Sequence, residues 1–600
     1  MNYGSKVLLI QPPFVQLNAP YPAPYYLGSF LASRGIPHRI ADHSIGLFRS
    51  IFCRSGLERL FADARPIILT RLASPLPPQD AEVDEGSIRF NLSRFLSQER
   101  LWIATIDRLV DFLGGDDREF GHLLAAANGA LPDGPRLERF LESVEGDPES
   151  DDAATIASLL LADLADFVTV ALDPSFALVR YAESIAASVG NFSAVESALD
   201  GYVFSTFYKS VLDAEWDREE SESAAERNGR QGPLIVACTI PFPGCLTGAL
   251  AAARSAKERF GDRVRTIAGG GYVNTELRAI RSARFFDYFD YLSFDRGYGS
   301  LEAILEAEGV LGPGRPPSGN RTGIALYKTL FREDLTGNLV GSPEATALGP
   351  GESLRHAATD AESVVSIFPD YRSVDFSRYI RPVDDANPMH RLWSDGRWLK
   401  AYLAHGCYWH ACAFCDVKLD YIRGYAPVEV DALFTHLVDQ AAATGVRGVH
   451  LVDEAAPVAS LIRLAELNRA AGLPLAFWGN IRFERQFTSD VALLLAAGGL
   501  LGVSAGIEVA SERGFKRLGK GLALADVVKT CAAFKEAGIL THAYLIYGFW
   551  DEDDGELIDS AETMRQLFAA GLVDSAFWHK FVLTRHSRIY AEWERAATPR

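Results

Sequence analysis

Residues 406–416 read GCYWHACAFCD, which puts Cys407, Cys412 and Cys415, three of the chain's seven cysteines, on one short loop. The apolar run LKAYLAH (399–405) leads into it and predicts a strand that delivers the loop to one end of a sheet or barrel. Three soft thiolates this close together suit three irons of a cubane cluster. No fourth cysteine follows nearby, so one iron would stay open to a small molecule held through an amine and a carboxylate. Two other readings fit the loop taken alone. One is a zinc site completed by His405 or His410, the other a loop of free thiols.

The loop resembles the cluster-binding loop of radical S-adenosylmethionine (SAM) enzymes. Its second half, C-x2-C with Phe414 before the last cysteine, follows the family pattern. Its first half does not: the spacing is C-x4-C-x2-C, where C-x3-C-x2-C is usual, so one residue is added between Cys407 and Cys412.

Composition narrows the function classes. The chain has 600 residues, more than one domain needs, and 48% are apolar, enough for large cores. It carries 59 basic and 78 acidic residues, a net charge of −19, with no run of Lys or Arg. Such a chain is a poor ligand for nucleic acid or anionic membranes. The opening MNYGSKVLLIQPP lacks the plan of a signal peptide, its short apolar run being stopped by two prolines. The longest uncharged stretch, 491–507, holds four glycines and reads as helix, turn and strand rather than a membrane span. Seven unevenly spaced cysteines do not suggest a disulfide framework, so a reducing cytoplasm is expected.

Two α/β regions flank the middle of the chain. KVLLI (6–10), a helix ending at Gly35 and PHRIAD (37–42) form a βαβ opening. From about 47 to 216 the pattern is helical, as in SLLLADLADFVTVAL (158–172), with acidic loops such as 145–155. We read 47–216 as an inserted helical subdomain, with a cap or substrate-recognition element as the alternative. The α/β pattern resumes with PLIVACTI (233–240), RVRTIA (263–268), the run Gly269-Gly270-Gly271-Tyr272, a helix at 275–283 and FDYLSF (289–294). Five strands with intervening helices predict a flavodoxin-like doubly wound sheet over 1–46 and 217–310, with a ligand at the strands' carboxyl ends. The Pro/Gly-rich 309–323 reads as a linker, and 311–398 as an irregular connector.

From 399 to 600, six strands alternate with helices: KAYLAH, GVHLVDE (448–454), LAFWGNIRF (475–483), GVSAGIEV (502–509), LTHAYLIYGF (540–549) and SAFWHKFVL (575–583). Six such units after a cysteine loop resemble the partial (β/α)6 barrel of radical SAM enzymes, whose ligands sit at the carboxyl ends of the strands. A helix, YAEWERAA, follows the sixth strand, which leaves little room for a further substrate domain.

The first region resembles the cobalamin-binding domain of cobalamin-dependent radical SAM proteins, with its Pro-Pro turn, Pro/Tyr-rich segment and glycine run. The resemblance covers about 1–46 and 233–600. It implies three cofactors: a 4Fe-4S cluster on Cys407, Cys412 and Cys415, SAM and cobalamin. Toward SAM it implies Asp453 and Glu454 for the amino group, Asn480 and Arg482 for the carboxylate end, Ser504 and Glu508 for the ribose, and Tyr547 and Gly548 near the adenine. Toward cobalamin it implies Pro12, Thr239, Gly269, Gly270, Gly271, Tyr272 and Gly297. Asp42-His43-Ser44-Ile45-Gly46 departs from the D-x-H-x-x-G motif of proteins with an axial histidine, so His43 is expected to cap a helix or lie in a solvated loop. The implied activity is methyl transfer to an unactivated carbon of a small-molecule or peptide substrate, with electrons from a flavodoxin or ferredoxin. Cobalamin-dependent rearrangement, cyclisation or oxidation is the enzymatic alternative, and a non-catalytic cobalamin sensor the third.

Overall fold

The computed structural model describes every residue outside 1–5, 76–83, 127–130, 145–147, 180–181, 188–191, 226–232, 312–323, 334, 345–349, 384–395, 550–551 and 598–600. Five parallel strands form the body of the first sheet: β1 (Lys6–Gln11), β2 (His38–Asp42), β3 (Leu234–Thr239), β4 (Val264–Gly269) and β5 (Tyr291–Ser293). Their order, β2-β1-β3-β4-β5, is the doubly wound order expected of five such strands. β1 sends alternate residues to opposite faces, as a pleated strand must. Val7 and Leu9 join a core with Phe30, Leu301 and Val364, while Leu8 and Ile10 enter a second core with the helices between β2 and β3.

That second core joins the helices of 47–216 to the first sheet. Among the described residues between β2 and β3 there is no strand, as expected. Yet Trp102, Leu160, Leu164 and Phe167 share one continuous cluster with Leu8, Ile10 and Val236, so these helices supply the cover for one face of the sheet. One of them, Ala153–Ala171, is long and apolar enough to cross a membrane by length and composition, and it is mostly buried among its neighbours.

The sheet also runs beyond the five strands. β6 (Thr329–Arg332) and β7 (Leu339–Ser342) add antiparallel to β5, and a helix, Pro350–Ser366, packs beneath. The segment 324–398, read as a connector, is therefore partly sheet. Strands of four residues are too short to show a period. Residues 312–323 of the linker lie outside the described residues. The helix expected at 275–283 is replaced by two short ones, Gly271–Thr275 and Phe285–Tyr288. Asn274, in the first of these, and Arg278, between the two, are tied to Asp295 after β5 at 2.7 and 2.8 Å.

The second sheet is parallel throughout. Its strands are β8 (Trp398–Ala401), β11 (Gly448–Leu451), β12 (Ala476–Ile481), β13 (Leu500–Glu508), β14 (Leu540–Tyr547) and β15 (Ser575–Lys580), in the order β15-β14-β13-β12-β11-β8. The run 400–405 is divided: β8 ends at Ala401, and β9 (Ala404–His405) pairs antiparallel with β10 (Ala426–Pro427) around the cysteine loop. Leu399, Leu451, Phe477, Val503 and Ala543 point outward into the core beneath the helices. Lys400, His450, Asn480, Ser504 and Tyr544 line cavities on the inner side.

The two sheets meet through the Pro/Tyr-rich segment. The helix Pro22–Ser33 stacks Tyr26 on Tyr402, centroids 4.8 Å apart, and Tyr402 donates its backbone N–H to the Tyr26 hydroxyl at 3.2 Å. Lys328 bridges Asp295 (2.8 Å) and Asp420 (2.7 Å), and His586 meets the Thr275 carbonyl at 3.0 Å. These contacts turn the carboxyl edge of the first sheet toward the cysteine loop.

Candidate functional site

Cys407, Cys412 and Cys415 line one cavity of about 490 Å³, shared with Glu454, Asn480, Arg482, Ser504, Glu508 and Lys520. The loop is pinned at several points. Cys407 N–H donates to the Ile422 carbonyl at 2.9 Å and Ala413 N–H to the Leu518 carbonyl at 2.7 Å. Trp409 donates its indole N–H to the Gly519 carbonyl at 3.0 Å, and the Arg482 guanidinium lies 4.6 Å over its ring. His410 adopts a positive φ of 34°. This turn accommodates the extra residue, and both halves of the lengthened loop still reach the cavity. The Cys412 and Cys415 thiols influence each other's ionisation, which is pulled down at Cys412 and pushed up at Cys415. Among the described residues no three His, Cys, Asp or Glu gather tightly enough to hold a single metal ion. Three thiols spread around one cavity suit a cluster of irons better than one tetrahedral zinc.

The polar groups at the strand ends divide into those that reach the cavity and those that do not. Glu454, after β11, lines it, and burial raises its carboxyl above the usual range. Asp453 does not. Its carboxylate accepts the backbone N–H groups of Leu403 (3.0 Å) and Ala404 (2.8 Å), which holds the chain between β8 and β9 against the exit of β11. Burial, opposed by these hydrogen bonds, pushes its carboxyl up to about 7. Asn480 on β12 donates to the Asp453 carbonyl at 3.2 Å and accepts from the Ser504 hydroxyl on β13. Arg482 places Nε on Glu484 at 2.7 Å and Nη2 on the Lys520 carbonyl at 2.6 Å. Glu508, at φ +67°, accepts from Lys520 Nζ at 2.6 Å.

Tyr547 and Gly548 lie outside the lining. Tyr547 is 38% exposed, and Tyr544, three residues earlier on the same strand, takes the place in the cavity wall. Three residues bear on the cavity without having been singled out from the sequence. Tyr544 is one. Lys520 is the second, and its setting between Gly519 and Gly521, both at positive φ, was the available signal. Gly506 is the third: a Cβ there would fall 1.8 Å from Glu508 Oε1, so glycine alone leaves room for the ion pair.

On the first sheet, Gly269, Gly270 and Gly271 follow β4 as read, each partly exposed at the exit of the strand. A Cβ at Gly270, whose φ is +108°, would lie 2.7 Å from the Ile240 carbonyl oxygen, and Ile240 N–H donates to the Gly269 carbonyl at 2.7 Å. The glycines serve the close approach of two strand-exit loops. Tyr272 donates its hydroxyl to the Ala186 carbonyl at 2.7 Å, and its phenol is held up to about 12 by burial. Pro12, Thr239 and Gly297 line neither the cysteine cavity nor its neighbour. His43 is neither solvated nor a cap. Asp42 caps the helix His43–Ile51, and His43 is 2% exposed with Nδ1 3.0 Å from the Tyr208 hydroxyl.

No protein-family model matches the sequence, and no curated protein matches it. Solved structures do. The radical SAM methyltransferase TsrM from Kitasatospora setae, with cobalamin and a 4Fe-4S cluster bound, is 16% identical, with a TM-score of 0.45 over 64% of this chain and 70% of that one. The cobalamin-dependent SAM radical enzyme OxsB, with aqua-cobalamin and SAM bound, is 12% identical, with a TM-score of 0.39 over 65% of this chain and 54% of that one. Methylornithine synthase (PylB) is 14% identical, with a TM-score of 0.26 over 41% of this chain and 65% of that one.

Proposed function

We propose that this chain is a cobalamin-dependent radical SAM enzyme, its cluster on Cys407, Cys412 and Cys415 and its SAM in the cavity they border. The observation that carries the reading is the shared wall: three thiols from one loop face Glu454, Asn480, Arg482, Ser504 and Glu508 from three successive strand ends. When bound, the cluster supplies the electron that cleaves SAM to a hydrogen-abstracting radical, and cobalamin supplies a methyl group.

The protein's own residues bind, orient and exclude water. Glu454 receives the SAM amino group. Arg482 keeps Nη1 for the carboxylate while Glu484 and Lys520 hold its other nitrogens in place, a preorganised charge-assisted contact. Ser504 and Glu508 face the ribose. Asp453 acts as a positioning residue by fixing the backbone that carries the loop. Tyr544 replaces Tyr547 and Gly548 at the adenine end. The first sheet is the cobalamin-bearing element, with its carboxyl edge turned to the cavity mouth by Tyr26 and Lys328. The electron comes from a small reduced carrier such as flavodoxin or ferredoxin.

The reaction we favour is methyl transfer to an unactivated carbon, which has no lone pair to take a methyl cation from SAM directly. The test supplies SAM with a deuterated methyl group, a cluster reductant and candidate substrates to anaerobically reconstituted protein. Deuterated methyl in the product, with both 5′-deoxyadenosine and S-adenosylhomocysteine formed, supports it. A product of altered skeleton or oxidation level, formed without S-adenosylhomocysteine, replaces it with rearrangement or oxidation. Absence of 5′-deoxyadenosine under all conditions rejects radical SAM chemistry itself.

A further inference from the structure

A second cavity, of about 510 Å³, adjoins the first and shares Asn480 and Tyr544 with it as a common wall. Four parts of the chain close it: the loop after β1 at Gln16–Asn18, the helical segment between β2 and β3 through Ser158 and Val179, Pro382 and Val383 before β8, and the inner face of the second sheet. A volume of this order holds a small organic molecule.

Among the described residues its one cationic side chain is Lys400 on β8, only 2% exposed. No hydrogen bond or ion pair holds its ammonium among the described residues. The acid whose field reaches it is Asp42, and that carboxylate is already engaged by Ser44 N–H, Ile45 N–H and the Tyr379 hydroxyl. Among the described residues no Asp or Glu lines the cavity. Burial holds the lysine down to about 7 and the neighbouring His450 well below its ordinary range. A lysine buried this way is costly unless an anion joins it.

Trp398 and Trp478 give the lining a flat apolar face, with Gln16, Asn18, Ser158 and Asn480 as neutral polar groups around it. Trp398 and Trp478 meet edge to face at 5.9 Å, and His450 stacks on Trp478 at 3.7 Å. The indole N–H of Trp398 is buried with no acceptor among the described residues. The unengaged Lys400 ammonium offers its hydrogen bonds to an acceptor in the cavity. With a single lysine and no second cation among the described residues of the lining, the match is a monoanion rather than a phosphate.

We propose that this cavity is the substrate site, and that the substrate is an organic monocarboxylate with a flat apolar body. Its carboxylate meets Lys400, and its body lies along Trp398 toward the wall of Asn480 and Tyr544 that borders the SAM cavity. This assignment rests on the radical SAM reading for the word substrate, while the binding itself does not.

The test uses the anaerobically reconstituted full-length chain and two probes of one shape, 2-naphthoate and its neutral counterpart 2-naphthamide, titrated by calorimetry at pH 8. Wild type is expected to bind naphthoate about 10-fold or more tighter than naphthamide, as a charge-assisted pair requires. Naphthoate binding is also expected to take up close to one proton, read from the dependence of the heat on buffer ionisation enthalpy. Lys400→Met should abolish both the preference and the proton uptake, and Ala162→Trp should weaken both probes by narrowing the cavity. Equal binding of the two probes to wild type overturns the proposal, and needs no variant. A preference that survives in Lys400→Met overturns the assignment to Lys400. 5′-Deoxyadenosine measured in the same preparation separates the two readings. Binding without SAM cleavage removes the radical SAM reading and keeps the carboxylate site, and cleavage without naphthoate preference does the reverse.

Discussion

Lys520 Nζ lies 2.6 Å from Glu508 Oε1, with both side chains buried at the end of β13. The pair stands between the cysteines and the proposed ribose position, and Lys520 also holds Arg482 through its backbone carbonyl. One loop residue thus fixes the orientation of two cavity groups from different strands.

Removing one member of that pair leaves a buried charge alone. Lys520→Met is expected to destabilise the chain by about 3–5 kcal/mol and to weaken SAM binding. The double variant Lys520→Met/Glu508→Leu should recover much of the stability but not the SAM affinity. Denaturant unfolding and equilibrium dialysis with labelled SAM measure the two effects. Full SAM affinity in the double variant would move the ribose contact elsewhere.

Anaerobic reconstitution should load about four irons per chain on the loop. Cys407→Ala, Cys412→Ala and Cys415→Ala should each lose them, while alanine at Cys53, Cys238, Cys245 or Cys531 should not, since these lie at a helix cap, in β3 and in helices. Iron and sulfide analysis decides this. Stoichiometric zinc in place of iron would restore the zinc reading.

Asp453 makes stability depend on pH with an unusual sign. Burial raises its native carboxyl to about 7 from an ordinary value of 3.8, so the folded chain binds more protons than the unfolded one between those values. This contribution to stability is complete below about 3.8 and is lost as pH rises toward 7. Asp453→Asn should flatten that part of the pH profile, with an amplitude of a few kcal/mol in the wild type at about 1.4 kcal/mol per unit. Thermal unfolding of both proteins from pH 4 to pH 8 measures it. An identical slope in the variant would assign the titration to another group.

On the first sheet, Gly270→Ala should destabilise through the clash with Ile240 and the positive φ, by about 1–3 kcal/mol. His43→Ala should destabilise by a similar amount through the lost hydrogen bond to Tyr208 and the space left behind. Neither residue touches the proposed cavities, so cobalamin bound per folded chain should be unchanged in His43→Ala. Calorimetry and the cobalamin absorption spectrum test the two claims. A shifted axial-ligand spectrum in His43→Ala would make His43 a cobalt ligand after all.

Local pattern alone determined much of this protein. Cys407, Cys412 and Cys415 are neighbours along the chain, so the sequence could show them together. Parallel buried strands announce themselves as apolar runs such as KVLLI and PLIVACTI, and the order of the first five followed from the βαβ rules. Glu454, Asn480, Arg482 and Glu508 could be placed on one rim from the sequence because each sits at or just past a strand's carboxyl end, while Ser504 lies mid-strand in β13. What tertiary structure decided are the relationships between distant segments. Asp453 was read as a ligand, but its carboxylate is taken by backbone fifty residues earlier. The choice of Tyr544 over Tyr547 depends on where the strand's twist carries it past the wall, and a period of two does not specify that. Lys520, twelve residues beyond its partner, becomes part of the cavity only when its loop folds back on β13. The glycine run was visible, yet its close approach to another loop depended on the position of Ile240. Lys400 stood in plain view in an apolar run, and only the closing of distant segments around it made it a buried amine with no side-chain partner among the described residues.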